Sequence, residues 1–162
     1  MKRIVFLSLL AISSCATTMQ SDGELMTTAH IAAHGTRTFD APPSKVFAAA
    51  IQALQADNYE VALQNVDKGL IVTRRKRIRT ETDTSAYETS TGYAASSRAV
   101  TYYRQFTITI TANGPNGSVL VATPSLFAND NDISDKPLWV LGTRDGEYAL
   151  WTRLFDHVSQ AL

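Results

Sequence analysis

The stretch "VTYYRQFTITI", Val100 to Ile110, alternates over eleven residues. Val100, Tyr102, Phe106, Ile108 and Ile110 share one parity, and Thr101, Tyr103, Gln105, Thr107 and Thr109 the other. A period of two puts the two sets on opposite sides of an extended chain, so this segment predicts a strand with one face in a core. "NGPNG", Asn113 to Gly117, supplies a turn, and Ser118 to Thr123 is expected to pair back as the next strand. A hairpin with one apolar face must bury that face, which requires a covering layer.

Two segments have the spacing to provide it. In "APPSKVFAAAIQALQADN", Val46, Phe47, Ala50, Ile51 and Leu54 fall on one helical face; proline is tolerated in the first turn, and Asp40 lies near that positive end. At the end of the chain, Tyr148, Trp151, Leu154, Phe155, Val158, Ala161 and Leu162 form a stripe at helical spacing, with Asp145 as the expected cap and Glu147 in the first turn.

Ile31 to Asp40 holds a short strand candidate. Tyr59, Val61 and Leu63 alternate as in a half-buried strand, and Asp67-Lys68-Gly69 turns the chain into Leu70 to Thr73. Thr80 to Ser97 is rich in Thr, Ser and Ala without an apolar period and reads as a long hairpin loop or flap, and Asn129 to Pro137 as a polar loop. The predicted class is α+β, an antiparallel sheet in the order β-α-β-β-β-β-α with two helices packed on one face.

With 44% hydrophobic and 19% charged residues the chain can build a core, and fifteen basic residues against fifteen acidic ones give no overall field to draw it to nucleic acid. A single cysteine, Cys15, excludes an internal disulfide and a thiolate metal cluster. Its position explains it. Met1-Lys2-Arg3 is a positive start, and Ile4 to Ile12 an apolar run too short to span a bilayer, which takes about 20 residues in a helix. Together they have the pattern of a secretory signal peptide.

Ile12-Ser13-Ser14-Cys15 resembles the lipobox of bacterial lipoprotein precursors: a branched aliphatic residue, two small residues and a cysteine. The resemblance implies cleavage before Cys15 and a diacylglyceryl thioether on its sulfur, with further acylation, palmitate for example, at the freed amine. Two or more chains make such an anchor stable where one does not. Ala16 stands where the family carries aspartate for inner-membrane retention, which implies the outer membrane. The expected organisation is therefore signal peptide 1–14, lipidated cysteine and tether 15–30, and a single α+β domain 31–162.

"APPSKVFAAAIQALQADNYEV", "GLIVTRR" and the terminal "YALWTRLFDHVSQAL" together resemble small envelope lipoproteins related to the BamC component of the barrel-assembly machinery, and the element order resembles helix-grip and TATA-binding-protein-like (TBP-like) arrangements. Among functional residues this resemblance carries over nothing beyond the lipobox cysteine.

Candidate chemistry is sparse. His30 and His34 are four apart, as two ligands on one helical face would be, but a third is missing, so no metal is expected. "TRRKRIR" gathers Arg74, Arg75, Lys76, Arg77 and Arg79, which can meet phosphates of lipid A or an acidic partner, or simply run past the sheet edge as solvated charge beside Glu81, Asp83 and Glu88. Tyr87 and Tyr93 in the Ser/Thr-rich segment suit a contact surface. Trp139 and Trp151 read as core. No Gly-x-Ser-x-Gly elbow and no phosphate-cradling glycine loop is present. The expectation is a non-enzymatic, periplasm-facing outer-membrane lipoprotein, a binding or scaffolding module with an envelope protein partner, no cofactor and no nucleic acid. A carrier of an apolar ligand between the last helix and the sheet is the alternative, and a hydrolase using His157 a third.

Overall fold

The computed structural model describes residues 23–89 and 92–162, so Cys15 and the cleavage site lie outside the described residues. The elements in chain order are α1 (Thr28–His34), β1 (Thr36–Phe39), α2 (Pro43–Ala56), β2 (Val61–Asn65), β3 (Leu70–Thr73), β4 (Lys76–Thr89), β5 (Gly92–Ala112), β6 (Ser118–Ala128), β7 (Asn131–Asp132) and α3 (Glu147–Ala161). The protein is α+β with an antiparallel sheet. The five expected strands are present in β1, β2, β3, β5 and β6, and three further elements join them: α1, β4 and the two-residue β7.

The sheet runs β1-β6-β5-β3-β2, with β4 also paired to β5 and β7 to β6. Residues 102–104 of β5 pair with β4 and β6, and 107–109 pair with β3 and β6. Strands β3 and β4 therefore lie on the same side of β5, as one line interrupted at Arg74-Arg75. The interruption is bridged by side chains: Thr73 Oγ1 accepts the Phe106 N–H at 2.9 Å, and Gln105 Nε2 donates to the Thr73 carbonyl at 2.7 Å.

The alternation of β5 decides which face is covered. Phe106, Ile108 and Ile110 are buried together with Leu120 and Ala122 of β6 and Ile71 of β3. Helices α2 and α3 close this core with Val46, Phe47, Ala50 and Leu54 from one, and Trp151, Leu154, Phe155 and Val158 from the other. Ala161 and Leu162, at the end of the expected stripe, are exposed. A second cluster, Leu126, Trp139 and Leu141, lies under the segment that leads into α3.

Local chemistry sets the element ends. Gly69 turns β2 into β3 with φ of +60°, and a Cβ there would stand 2.0 Å from the Ile110 carbonyl oxygen, which leaves room for glycine only. Asp145 does not cap α3. The N-cap is Gly146 without a side-chain bond, and the Val140 and Leu141 carbonyls accept the N–H groups of Glu147 and Tyr148 at 3.1 and 3.2 Å. The loop's backbone has taken over the role expected of the carboxylate.

Two readings of polar segments need correction. Thr80 to Ser97 is not a loop: β4 and β5 pair residue by residue from Thr80↔Thr101 out to Thr89↔Gly92. Beyond Thr101, which is still bonded to Asn129, β5 has β4 as its single described neighbour, so this part is a two-stranded ribbon. Residues 23–30, read as the end of a tether, are held by the domain. Glu24 forms an antiparallel bridge to Trp139, Met26 packs on the core, and Thr27 opens α1 with a capping box in which the His30 side chain accepts the Thr27 N–H.

Candidate functional site

Arg104 has the inward parity of β5, between Tyr102 and Phe106, and is 8% exposed. A guanidinium there needs a counter-ion, because an unpaired buried charge is prohibitively costly. Glu147, 1% exposed at the start of α3, supplies it, with Arg104 Nη2 and Glu147 Oε1 2.5 Å apart. The pair does not use all its hydrogen-bonding capacity: Arg104 Nε and Glu147 Oε2 are buried without a partner. Burial pushes the Glu147 carboxyl above its ordinary value, and the neighbouring Arg104 charge pulls the other way.

Lys76 of β4 stands directly opposite Arg104, and Arg79 directly opposite Tyr102. The second pairing depends on an irregularity between Arg77 and Arg79, which shifts the register by one residue. Ile78 packs against the second core cluster. Like charges directly opposite on a sheet repel, so the Lys76–Arg104 pairing is a local cost to the fold.

Lys76 is partly compensated. Its Nζ donates to the Asp57 carbonyl, at the C-terminal end of α2, at 2.6 Å, and lies 4.6 Å from the centre of the Tyr59 ring. Burial lowers the Lys76 pKa from its usual value. It raises that of Tyr59, with Arg104 opposing.

Above this arrangement is an open pocket of about 370 Å³. Lys76, Arg77, Arg79, Arg104 and Arg153 contribute positive charge to its lining, and Asp145 is the acid there. Tyr59, Ile78 and Leu150 give it an apolar wall. Arg79 is matched by Glu81, with Nε and Oε1 2.7 Å apart, and its guanidinium lies 4.5 Å from the Tyr102 ring centre.

The basic run is thus divided. Lys76, Arg77 and Arg79 meet at the pocket. Arg74 and Arg75 are not among its lining residues: Arg74 pairs with Glu60 at 3.5 Å, while Arg75 pairs with Asp130 at 3.6 Å and lies 3.7 Å over the Phe127 ring. Tyr87 and Tyr93 belong to the far part of the ribbon, where their backbones pair with Ala94 and Glu88. Eight residues of strand separate Tyr87 from Arg79, about 26 Å, so they do not join this site.

His30 and His34 do share a helix. Both approach the Tyr148 ring, His34 stacked at 4.0 Å between centroids, and among the described residues no group of three metal-binding side chains occurs. His157 lies between the ends of α2 and α3 in a different pocket.

Arg104 and Arg153 were not among the residues singled out from sequence, and Glu147 only as the acid in the first turn of the last helix. Arg104 could have been found, because it is a charged residue at an inward position of the clearest strand. Arg153 lies on α3 and reaches the site only through the fold.

No family model matches the chain, and no curated protein does. Among solved structures it is similar to a DUF4468 family protein from Bacteroides ovatus, with a TM-score of 0.34, 10% identity, and coverage of 78% of this chain and 77% of that one.

Proposed function

We propose that the chain is a lipoprotein anchored through Cys15 to the outer membrane and facing the periplasm, and that its α+β domain is a non-enzymatic binding module for an envelope partner. The anchor rests on the lipobox-like "ISSC". The observation that carries the binding role is the convergence of Lys76, Arg77 and Arg79 with Arg104 and Arg153 around one open pocket. The fold gains nothing from like charges set together, so an acidic contact is the natural use for them.

The site lies close to the described end of the chain that leads to Cys15. Val140, in the pocket wall, follows Trp139, whose backbone bridges to Glu24. Gly23, the first described residue, is eight positions after Cys15, a stretch that reaches at most about 28 Å. A lipid on Cys15 would therefore hold the domain near the bilayer surface.

Carriage of an apolar ligand has less support. Trp151, Phe155, Phe106, Ile108 and Ile110, the side chains a chamber would need as lining, pack together in the principal core, where Trp151 Nε1 also donates to the Ala122 carbonyl at 2.9 Å.

Capture of partners from envelope extract tests the binding reading, comparing the wild type with a chain carrying Arg77→Ser, Arg79→Ser and Arg153→Ser. Loss of a partner is expected, and an unchanged set would refute the basic face. Labelling with a palmitate analogue tests the anchor: Cys15→Ser should abolish the label, and undiminished labelling would exclude this attachment.

A further inference from the structure

The charges around the pocket specify more than an acidic partner. Of the five cationic side chains in the lining, Arg104 pairs with Glu147, Arg79 pairs with Glu81, and Lys76 has the Asp57 charge nearby. Two guanidiniums, Arg77 and Arg153, are left without an ion-paired carboxylate among the described residues. A phosphomonoester carries between one and a half and two negative charges at neutral pH, and a carboxylate only one. Guanidinium forks suit the oxygens of such a group.

Arg77 and Arg153 have exposed side chains with no ion pair among the described residues, and Arg104 Nε is buried without a partner at the inner end of the site. The wall of Tyr59, Ile78 and Leu150 adds a surface for a ring or short alkyl group, and about 370 Å³ lies at the small end of the range for ligand sites.

We propose that this pocket binds the phosphate of a phosphomonoester, free or borne on a lipid headgroup, with Arg77 and Arg153 holding it from the rim, Arg104 beneath it and its organic part against Tyr59 and Leu150. The inference deepens the binding-module reading and rests on it. The proximity of the anchored end, through the Glu24–Trp139 bridge, brings a headgroup within range as readily as a soluble ligand.

The test is calorimetric titration of the purified full chain in detergent with phenyl phosphate, benzoate, dihexanoyl phosphatidic acid and dihexanoyl phosphatidylcholine. Saturable binding of a phosphomonoester is expected, weakened about tenfold or more by Arg77→Gln or Arg153→Gln, as loss of a charged hydrogen bond implies, and unchanged by Lys45→Gln at an exposed position of α2. Preference for phosphatidic acid over phenyl phosphate identifies the headgroup as the source, and the reverse identifies a soluble ligand. Both changed arginines are on the surface, and circular dichroism verifies that each variant is folded.

The proposal is overturned if neither phosphomonoester saturates, if benzoate or phosphatidylcholine binds as tightly, or if both arginine variants bind like the wild type. Phosphate binding with an unchanged set of captured partners would remove the protein-partner reading and leave the pocket. Lost partners without phosphate binding would do the opposite.

Discussion

The two halves of β5 show what alternation requires. From Phe106 to Ile110 the strand lies between β3 or its turn and β6, and its even residues enter a core closed by α2 and α3. From Gly92 to Val100 the same strand pairs with β4 and runs out as a ribbon, where residues 95–99 are exposed at every position. Backbone pairing is continuous across both. Only the first half has a layer to bury against, so only there does side-chain chemistry follow the period of two. Arg104 occupies the junction, where the inward face is still covered but by a polar site.

This contrast ranks the effects of substitution along a single strand. The largest is expected at Phe106→Ala, which empties a position 3% exposed that meets Tyr59 edge-on at 5.3 Å between ring centroids. Removing such a ring from a core costs about 4 kcal/mol, to be measured by urea unfolding. A cost below about 1 kcal/mol would mean that the core half of the strand is no better packed than a surface.

Next is Arg104→Leu, which leaves Glu147 buried without its counter-ion. The expected cost is about 3 kcal/mol at neutral pH, at the low end for a broken buried pair because the carboxyl can take up a proton. Adding Glu147→Leu should recover most of it, since two apolar groups leave nothing unpaired. If the double variant were as unstable as the single one, packing rather than charge would explain Arg104.

The pair also sets a pH dependence. Burial raises the Glu147 pKa above its ordinary 4.5. Between that value and the folded one, the native chain keeps a proton that the unfolded chain has released, so this contribution is full below 4.5 and is lost as pH rises through the folded value. The wild type should lose stability from acid toward neutral pH relative to Glu147→Gln, measured as the difference between their melting temperatures. A difference independent of pH would show that Glu147 titrates alike in both states.

How much could be read in advance follows the same division. Val46, Phe47, Ala50 and Leu54, and the stripe from Trp151 to Val158, were legible because each has a wet side and a dry side, and burial writes that difference into the sequence. Residues 95–99 of the ribbon have no dry side. A segment of Thr, Ser and Ala without an apolar period gives no pattern by which its ladder can be distinguished from a loop. The site was half legible: the basic run is visible, but Arg104, Glu147 and Arg153 join it only because β5 and α3 meet. The distance between Arg104 and Glu147 along the chain hides their pairing, although the parity of Arg104 signals that a partner must exist.

The smallest effect should come from the ribbon itself. Ser97 is exposed, and its hydroxyl makes a 3.3 Å contact with Thr84 across the strands. Ser97→Ala keeps the backbone ladder and removes only a solvent-accessible hydroxyl contact, so the change in stability should stay within about 0.5 kcal/mol. Native-state hydrogen exchange gives the sharper measurement. Amides of Ser96 to Ala99 should open with far lower free energy than those of Phe106 to Ile110, because a two-stranded ribbon is marginal in water without a packed face. Equal protection in the two halves would mean that something covers the ribbon in solution, and the division of β5 into a packed and an unpacked half would fail at that point.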